Sequence, residues 1–316
     1  MIVTLTANPA LDRTIVLEEP LRPGAVQSAA SAREDAGGKG INVARVLAAA
    51  GAPTLAVLPL AEDDPFRSAL APSHVPTRTV DVGGHCRANI AITDPAGVTT
   101  KLNLRGPVLS ADEVGALIAE VVAASEGARW LVLAGSLPPG VDDDFYVSVI
   151  EAVRGTWGDA SPRIAVDTAG AALRAVVDRG RPDVIKPNEE ELAELTRAPL
   201  DRDDDLARAA LVAARHIVPS RVAAALVTLG GRGAVLVEAD AAYVAVPPPV
   251  RVRSTVGAGD SSLAGYLLAE IAGCDAPQRL VSAVRHGAAA ASLPGTQVPR
   301  PADLPEGDVG VALLPS

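Results

Sequence analysis

Short runs of apolar or β-branched residues alternate with longer stretches of helical periodicity along most of this chain. The runs are Ile2–Thr6, Trp130–Ala134, Ile164–Val166 and Ala223–Val227. Runs that lack a polar alternate residue are typical of strands buried on both faces, as in a parallel sheet. Helical patterns lie at Gly40–Ala50, Ala111–Ala124, Asp143–Val153, Glu189–Leu195, Asp203–Ile217 and Ala276–Ser292. The alternation predicts an α/β fold with a doubly wound, mostly parallel sheet flanked by helices.

Two segments, about 11–34 and 85–104, do not fit this alternation. Leu11–Glu34 holds short β-like pieces and no good helix. His85–Leu104 reads as a hairpin, because alternating residues flank the turn Asp94–Gly97, D-P-A-G. Together they predict a small sheet that stands off a single domain covering residues 1–316. Leu304–Ser316 is a weakly patterned tail.

Composition narrows the class of protein. Hydrophobic residues make up 48% of the 316 residues and aromatic ones only 2%, so a large core of Ala, Val and Leu is expected. The net charge of −10 argues against nucleic acid or an anionic membrane as the main partner. Cys86 and Cys274 have no metal or redox spacing, and no stretch reads as a signal peptide or a membrane span. We therefore expect a cytoplasmic protein.

Polar, glycine-rich turns follow the predicted strands. They are Gly135–Gly140, Asp167–Gly170, Lys186–Glu191, Thr228–Gly233 and Thr255–Asp260. Ligands of α/β sheets bind at the carboxyl ends of the strands. One such turn is an ordinary connection, but five at the same end of successive strands predict a single cleft.

The turn Gly257-Ala258-Gly259-Asp260 precedes a helical stretch. Capping of that helix is one interpretation of Asp260. The other is a catalytic base beside an anion site, which the glycine turn and the helix N-terminus would form. The chain has neither a G-x-x-x-x-G-K-[ST] loop nor a G-x-G-x-x-G after its first strand, which argues against a P-loop protein and a standard dinucleotide-binding domain.

A second glycine cluster, Ala36–Ala44 (A-G-G-K-G-I-N-V-A), opens the first predicted helix. One interpretation is a flexible turn with a solvated lysine. The other is close backbone approach to a polyhydroxy ligand, with Lys39 and Asn42 reaching it.

Taken in order, A-G-G-K-G-I-N-V-A-R, A-G-S-L-P-P-G, I-K-P-N-E-E-E, T-L-G-G-R-G-A and S-T-V-G-A-G-D-S resemble the motifs of the ribokinase-like (PfkB) carbohydrate kinases. The match runs from about Thr4 to Ser292. The stretch Thr6–Asp12, T-A-N-P-A-L-D, is similar to the phosphosugar branch, and the 1-phosphofructokinases look closest. The resemblance implies a ribokinase-like fold in which the two irregular segments form a β-sheet lid, and a homodimer joined through the lids.

The resemblance also implies roles for individual residues. Asp260 matches the catalytic base, and Gly257, Ala258 and Gly259 match the anion hole. Asn188 and Glu191 match an N-x-x-E element that helps to hold Mg²⁺ through water. The nucleotide side is matched by Lys186, Asn188, Thr228, Gly230, Gly233 and Ser292, and the substrate side by Asp12, Gly38, Lys39, Asn42, Arg87 and Lys101.

The implied reaction is the phosphorylation of fructose 1-phosphate to fructose 1,6-bisphosphate by ATP and Mg²⁺. Arg87 and Lys101 lie on opposite arms of the hairpin, so a paired register would bring them together on a phosphate. One departure is Leu104-Arg105, where the 1-phosphofructokinase branch usually has an acid and a proline. It leaves tagatose-6-phosphate and fructose-6-phosphate kinases open as alternatives, and Arg105 open as a surface residue or a phosphate contact. A non-catalytic sugar-phosphate-binding regulator is the alternative from another class.

Overall fold

The computed structural model describes residues 1–200 and 205–315. Within them lie fourteen strands, which in chain order are β1 Ile2–Thr6, β2 Ala10–Leu17, β3 Ala29–Gly37, β4 Thr54–Pro59, β5 Thr77–Val80, β6 Arg87–Thr93, β7 Thr99–Asn103, β8 Trp130–Ala134, β9 Arg163–Asp167, β10 Val184–Ile185, β11 Ala224–Thr228, β12 Ala234–Val237, β13 Ala242–Val246 and β14 Gly310–Leu313. The α-helices of the same residues are α1 Lys39–Ala49, α2 Phe66–Leu70, α3 Ala111–Ala124, α4 Phe145–Trp157, α5 Gly170–Ala175, α6 Glu189–Thr196, α7 Leu206–Arg215, α8 Ala258–Ile271 and α9 Ala276–Ser292.

Ten strands form the main sheet, in the order β14-β13-β12-β11-β10-β9-β8-β1-β4-β5. The strands from β11 to β5 are parallel, and β12, β13 and β14 add an antiparallel edge. The central strands β1 and β8 are buried along their whole length, which explains their unbroken apolar sequences. The predicted doubly wound, mostly parallel sheet is confirmed.

Helices cover both faces of this sheet. Helices α1, α8 and α9 pack on one face around Val43, Leu263 and Leu280. Helices α3 to α7 pack on the other, around Leu117 and Ile150. Such two-sided packing buries the apolar residues of every central strand, and it leaves the carboxyl ends of the parallel strands open for ligands.

The two irregular segments form a second, four-stranded sheet in the order β3-β2-β6-β7, called the small sheet below. Strands β6 and β7 are the predicted hairpin. Its turn is held by Asp94, whose carboxylate accepts hydrogen bonds from the backbone N–H groups of Ala96 and Val98, at 2.9 Å each. Leu11 and Ala36, at the base of the small sheet, pack on Phe66 of α2.

The tail 304–316 is more regular in the structure than its weak sequence pattern predicts. It supplies β14, which pairs antiparallel with β13 at the edge of the main sheet. All four residues of β14 are exposed although its sequence, G-V-A-L, is apolar, and this short run was not predicted as a strand. The first residues of the predicted helix Asp203–Ile217 lie outside the described residues, and α7 is described from Leu206. Among the described residues, no helix is both long and apolar enough to cross a membrane.

Candidate active site

Five charged side chains from four turns meet at the carboxyl edge of the main sheet. Lys39 comes from the start of α1, Asp167 ends β9, and Lys186 follows β10. Glu191 lies in the first turn of α6 and Asp260 in the first turn of α8. The single cleft predicted from the glycine-rich turns therefore has a charged centre.

Asp260 is placed by a glycine turn, but it does not cap the helix. Helix α8 begins at Ala258, and its N-cap is Gly257, whose φ of 75° lies in the left-handed region that favours glycine. The Asp260 carboxylate instead accepts a hydrogen bond of 2.8 Å from Asn42 Nδ2 on α1. The capping interpretation of Asp260 is thus wrong, and its side chain is free of that structural duty.

Burial raises the pKa of Asp260 to about 6, and the nearby negative charge of Asp167 adds to the effect. Only 6% of the residue is exposed. Lys39 and the Asn42 amide act in the opposite direction by favouring the carboxylate. A carboxyl with this pKa is ionised at neutral pH and is a stronger base than an ordinary aspartate, as general base catalysis requires.

Asp167 holds two lysines together. Lys39 Nζ lies 2.7 Å from Asp167 Oδ1, and Lys186 Nζ lies 3.1 Å from Asp167 Oδ2. Burial alone would raise the pKa of Asp167, but the two lysines outweigh burial and hold that pKa below its ordinary value. The pKa of Lys39 is raised despite its burial, because Asp167 and Glu191 favour its charged form. A buried carboxylate therefore holds two lysine side chains beside Asp260 and favours the charged form of Lys39.

Lys186 lies directly beside the glycine turn. A side chain at Gly259 would place its Cβ 3.1 Å from Lys186 Nζ, and one at Gly257 would approach Asn42 Nδ2 to 4.0 Å. The N-terminus of α8, which carries the positive end of the helix dipole, points into the same space. These donors and charges make a pocket suited to an anion, at the place where the anion hole is predicted.

On the other side of the centre, Asn188 and Glu191 form the capping box of α6. Asn188 Oδ1 accepts from Glu191 N at 2.7 Å, and Glu191 Oε2 accepts from Asn188 N at 2.9 Å. The remaining oxygen, Glu191 Oε1, lies 3.7 Å from Lys39 Nζ. Asn188 is bridged to Thr228 at the end of β11, so the predicted nucleotide-side residues Asn188 and Thr228 are neighbours.

Three further residues of the predicted nucleotide side lie in the turns around β12 and at the end of α9. Gly230 begins a short 3-10 turn after β11, and Gly233 ends it. A Cβ at Gly233 would lie 1.9 Å from the carbonyl oxygen of Ala245, so this glycine is required by strand packing whatever its other role. The Ser292 hydroxyl donates to the Ala289 carbonyl at 2.7 Å, which leaves its predicted nucleotide contact a prediction.

A cleft of about 870 Å³ opens between this centre and the small sheet. Its walls include residues of β6, of the segment after β7 and of the turns after β8 and β9; those used below are Asn8, Gly38, Lys39, Arg87, Asn103, Arg105, Gly106, Ser136 and Glu191. Asp12 stands beside it on β2, where its carboxylate accepts 2.8 Å from Asn89 Nδ2 and where burial raises its pKa. The cleft is large enough for a small polar ligand to lie between the small sheet and Lys39 and Glu191 at the charged centre, whereas Asp260 does not line it.

The predicted pairing of Arg87 with Lys101 is wrong. The register of the hairpin pairs Lys101 with Ala91, four residues along β6 from Arg87. At about 3.3 Å per residue, that separation is roughly 13 Å along the strand. Lys101 is exposed and lies farther from the cleft, whereas Arg87 forms part of the cleft wall. The prediction miscounted the register, because Arg87 lies seven residues before the turn Asp94–Gly97 and Lys101 only four residues after it.

Sequence reasoning missed two residues of the site. Asp167 was visible as an acid directly after a buried strand, but it was treated only as part of a turn. Asn8 is 7% exposed and donates to the Leu137 carbonyl at 3.3 Å and to Ser136 Oγ at 3.4 Å, so it fastens the β1 end to the turn after β8. Asn8 lies within the stretch Thr6–Asp12, T-A-N-P-A-L-D, but no role was predicted for it, because its role depends on which turns the fold brings together.

Fold and site together define a ribokinase-like α/β kinase. The sequence model of the pfkB family of carbohydrate kinases matches residues 6–303, which is nearly the whole chain. The chain belongs to this family, and it is a carbohydrate kinase.

The most informative relatives are two bacterial enzymes and one solved structure. The ATP-dependent 6-phosphofructokinase isozyme 2 of Escherichia coli K12 is 33% identical over 301 residues, which cover 94% of each chain. The 1-phosphofructokinase of Rhodobacter capsulatus is 35% identical over 302 residues, covering 91% of this chain and 90% of the relative. The crystal structure of Escherichia coli phosphofructokinase-2 in complex with fructose-6-phosphate has a TM-score of 0.85 and 31% identity, and 96% of each chain is covered.

Proposed function

We propose that this protein transfers the γ-phosphoryl group of ATP to a ketohexose phosphate, with fructose 1-phosphate as the preferred substrate and fructose 1,6-bisphosphate as the product. The observation that carries the proposal is Asp260. It is a buried carboxylate with a pKa near 6, beside a helix N-terminus and two charged lysines. That arrangement suits proton removal from a hydroxyl that attacks a phosphoryl group.

Each group of the site has a part in this reaction. Asp260 takes the proton from the C6 hydroxyl, which attacks the γ-phosphate in line. The turn of Gly257, Ala258 and Gly259 and the ammonium of Lys186 stabilise the negative charge on the transferring group. Asn42 holds the Asp260 carboxylate at 2.8 Å and so fixes the direction of its basic oxygen.

The donor set suits Mg²⁺ carried by the nucleotide. Among the described residues, no group of three or more His, Cys, Asp or Glu side chains is placed to hold a metal ion. Mg²⁺ is commonly held by one or two carboxylates, water and substrate phosphates, and half-buried Glu191 offers such a carboxylate beside Asn188. When bound, Mg²⁺ neutralises charge on the phosphates. We place the nucleotide on the side of Lys186, Asn188, Thr228, Gly230, Gly233 and Ser292.

The sugar lies in the cleft in this proposal. Asp12, Gly38, Lys39 and Asn42 face its hydroxyls, and Arg87 faces the phosphate that it already carries. The protein is net negative, so a sugar phosphate requires local cations to be held. Fructose-6-phosphate and tagatose-6-phosphate kinases are the alternatives within the class, because the relatives include a 6-phosphofructokinase and a 1-phosphofructokinase at nearly the same identity.

We further propose that the small sheet is a lid, that it pairs with the lid of a second copy, and that the enzyme works in the cytoplasm. A lid over the cleft would exclude water, which competes with the sugar hydroxyl for the phosphoryl group. The carboxyl-terminal half of β6 and all of β7 stand away from the main sheet, and all five residues of β7 are exposed. A partner that pairs with such an exposed strand satisfies the unpaired backbone N–H and C=O groups at its edge.

One assay tests the proposal. Purified protein with ATP and Mg²⁺ is given fructose 1-phosphate, fructose 6-phosphate, tagatose 6-phosphate or free fructose, and ADP release is measured. We expect the highest kcat/KM with fructose 1-phosphate. A preference for one of the 6-phosphates would select an alternative of the same class. Binding of a sugar phosphate without ADP release would indicate a regulator, and equal use of free fructose would contradict a phosphosugar kinase. An absorbance change with nicotinamide cofactors would instead indicate an oxidoreductase.

A further inference from the structure

The register that separates Lys101 from Arg87 brings another cation to Arg87. Strands β6 and β7 pair Asn89 with Asn103, and Leu104 N continues the ladder by donating to the Ala88 carbonyl at 3.0 Å. Arg105 follows the last bonded residue, and extending the register by one position places it opposite Arg87. Alternation along the two segments turns both arginines to the face that carries Asn89 and Asn103. Both side chains line the same cleft.

The backbone next to Arg105 is fixed in place. A Cβ at Gly106 would lie 2.3 Å from Asn8 Oδ1, so Gly106 packs closely on the Asn8 amide. Asn8 is itself bound to the turn after β8 through Ser136 and Leu137. Arg105 therefore extends from a wall of the cleft whose backbone position is fixed by packing.

Neither arginine forms an ion pair with a described residue, although the Asp12 carboxylate attracts Arg87 from a distance. Within residues 1–200 and 205–315, no ion pair or hydrogen bond of either guanidinium is found, and Arg87 Nε is buried without a hydrogen-bond partner. The nearest acid of the small sheet, Asp12, accepts a hydrogen bond from Asn89. Like charges directly opposite each other destabilise a sheet, and a buried N–H without a partner costs free energy. Both costs are removed if an anion binds between the two side chains.

We propose that Arg105 is the second arm of the site that holds the phosphate already present on the sugar, opposite Arg87, and that it is a specificity-determining residue of this chain. The inference rests on the proposed function, because it takes a sugar phosphate as the ligand. Two guanidinium groups offer planar pairs of N–H donors that match a phosphate dianion, and the amide of Asn103 lies on the same wall. Leu104-Arg105 thus places a cation where the 1-phosphofructokinase branch usually has an acid and a proline.

The kinetic test compares Arg105→Ala with Arg105→Lys, Lys101→Ala and the remote surface variant Arg221→Ala. We expect Arg105→Ala to raise the KM for fructose 1-phosphate roughly tenfold, while kcat and the KM for ATP change less than about twofold, since a contact made equally in ground and transition states affects binding alone. Arg105→Lys should recover part of the loss. The double variant with Arg87→Ala should lose less than the sum of the two single effects, because both arms hold one group. A KM loss with Lys101→Ala but not with Arg105→Ala would overturn the proposal, as would an equal rise in the KM for ATP.

A binding test separates this proposal from the proposed function. Calorimetric titration of ATP-free protein with fructose 1-phosphate, and then with inorganic phosphate, requires no turnover. Weaker binding of both ligands to Arg105→Ala supports the second arm even if no sugar phosphate is phosphorylated. Equal binding by wild type and variant, or binding by neither, overturns it. The melting temperature of the ligand-free Arg105→Ala protein at low salt should equal or exceed that of the wild type, because a like charge is removed. A purely structural arginine would give a lower one.

Discussion

At the scale of the residue, Asp260 combines burial, a helix N-terminus and a side-chain donor in one position. Asp260→Asn keeps the shape of the side chain and the possible hydrogen bond to Asn42, but it removes the base. We expect a fold unchanged by circular dichroism and a kcat lower by about 10²–10⁴-fold, the usual effect of losing a general base. The control is Asp275→Asn, the N-cap of α9, where the two residue types serve almost equally. Near-native kcat in Asp260→Asn would refute the catalytic assignment.

The same carboxyl affects stability as a function of pH. Its pKa is about 6 in the folded protein, above the ordinary value of 3.8, so the folded state holds the proton more tightly than the unfolded chain. The contribution of this carboxyl to the free energy of unfolding is fully present below its unfolded pKa, and it is lost as the pH rises through about 6. The difference between a pKa of 3.8 and one of about 6 corresponds to at most about 3 kcal/mol in the free energy of unfolding.

It follows that Asp260→Asn should be more stable than the wild type at pH 8, by about 1–3 kcal/mol in the free energy of unfolding, and that this difference should shrink as the pH falls toward 4. Urea titrations of both proteins at pH 4, 6 and 8 measure it. A variant less stable than wild type at pH 8 would mean that Lys39 and Lys186 stabilise the carboxylate more than burial destabilises it.

The residues of the site were predictable to different degrees. Asp260 and Lys39 stand in glycine-rich turns with recognisable order, so their meeting at one edge of the sheet could be predicted. Asp167 carried a weaker signal, and its role becomes clear only when two lysines from separate turns reach it. The positions of Lys101 and Arg105 relative to Arg87 follow from the turn Asp94–Gly97, because turn geometry fixes the register of a hairpin, but the pairing predicted from the sequence did not use that count.

At the scale of the element, the strongest patterns gave the best boundaries. The predicted helices Ala111–Ala124 and Ala276–Ser292 coincide with α3 and α9. Both begin with a capping box, at Ser110 and at Asp275, which marks a helix start. Strand β10 is the apolar pair Val184-Ile185 that precedes the predicted turn Lys186–Glu191, whereas the short apolar run of β14, G-V-A-L, was not predicted as a strand.

The close packing of α8 on α9 makes a prediction about Gly265. A Cβ there would lie 2.6 Å from the Ser282 carbonyl oxygen and 2.7 Å from His286 Nδ1. Gly265→Ala should therefore push the helices apart and lower the free energy of unfolding by about 1–3 kcal/mol, a typical cost of overpacking. Because α8 carries Asp260, kcat should fall as well.

The matched control is Gly155→Ala on the exposed side of α4, where a Cβ would meet nothing within 4 Å. This change should leave the melting temperature unchanged or raise it, because alanine favours the helix by roughly 0.5–1 kcal/mol. A melting temperature of Gly265→Ala as high as that of Gly155→Ala would contradict the prediction, because it would mean that α8 and α9 can move apart at little cost in free energy.

At the scale of the whole molecule, the two sheets have different relations to solvent. The main sheet is covered on both faces by helices, whereas the small sheet packs on α2 near its base, around Leu11 and Ala36. Beyond the base, strand alternation places Ile15, Ile90, Ile92 and Leu102 on one face and Asp12, Asn89 and Asn103 on the other. The polar face borders the cleft, so the apolar face is the one that a second copy would cover.

We therefore predict a homodimer joined through these apolar faces. Leu102 is 51% exposed, so Leu102→Asp should place a charge in the interface without disturbing the fold of one chain. Light scattering should give twice the chain mass of 32.0 kDa for the wild type and a lower mass for the variant. Activity should fall with the dimer, because a lid without its partner holds the cleft less firmly. Val311→Asp, on the exposed strand β14, is the matched control and should remain dimeric. A wild-type monomer that is active at assay concentration would contradict the arrangement, and a dimer unaffected by Leu102→Asp would place the interface elsewhere.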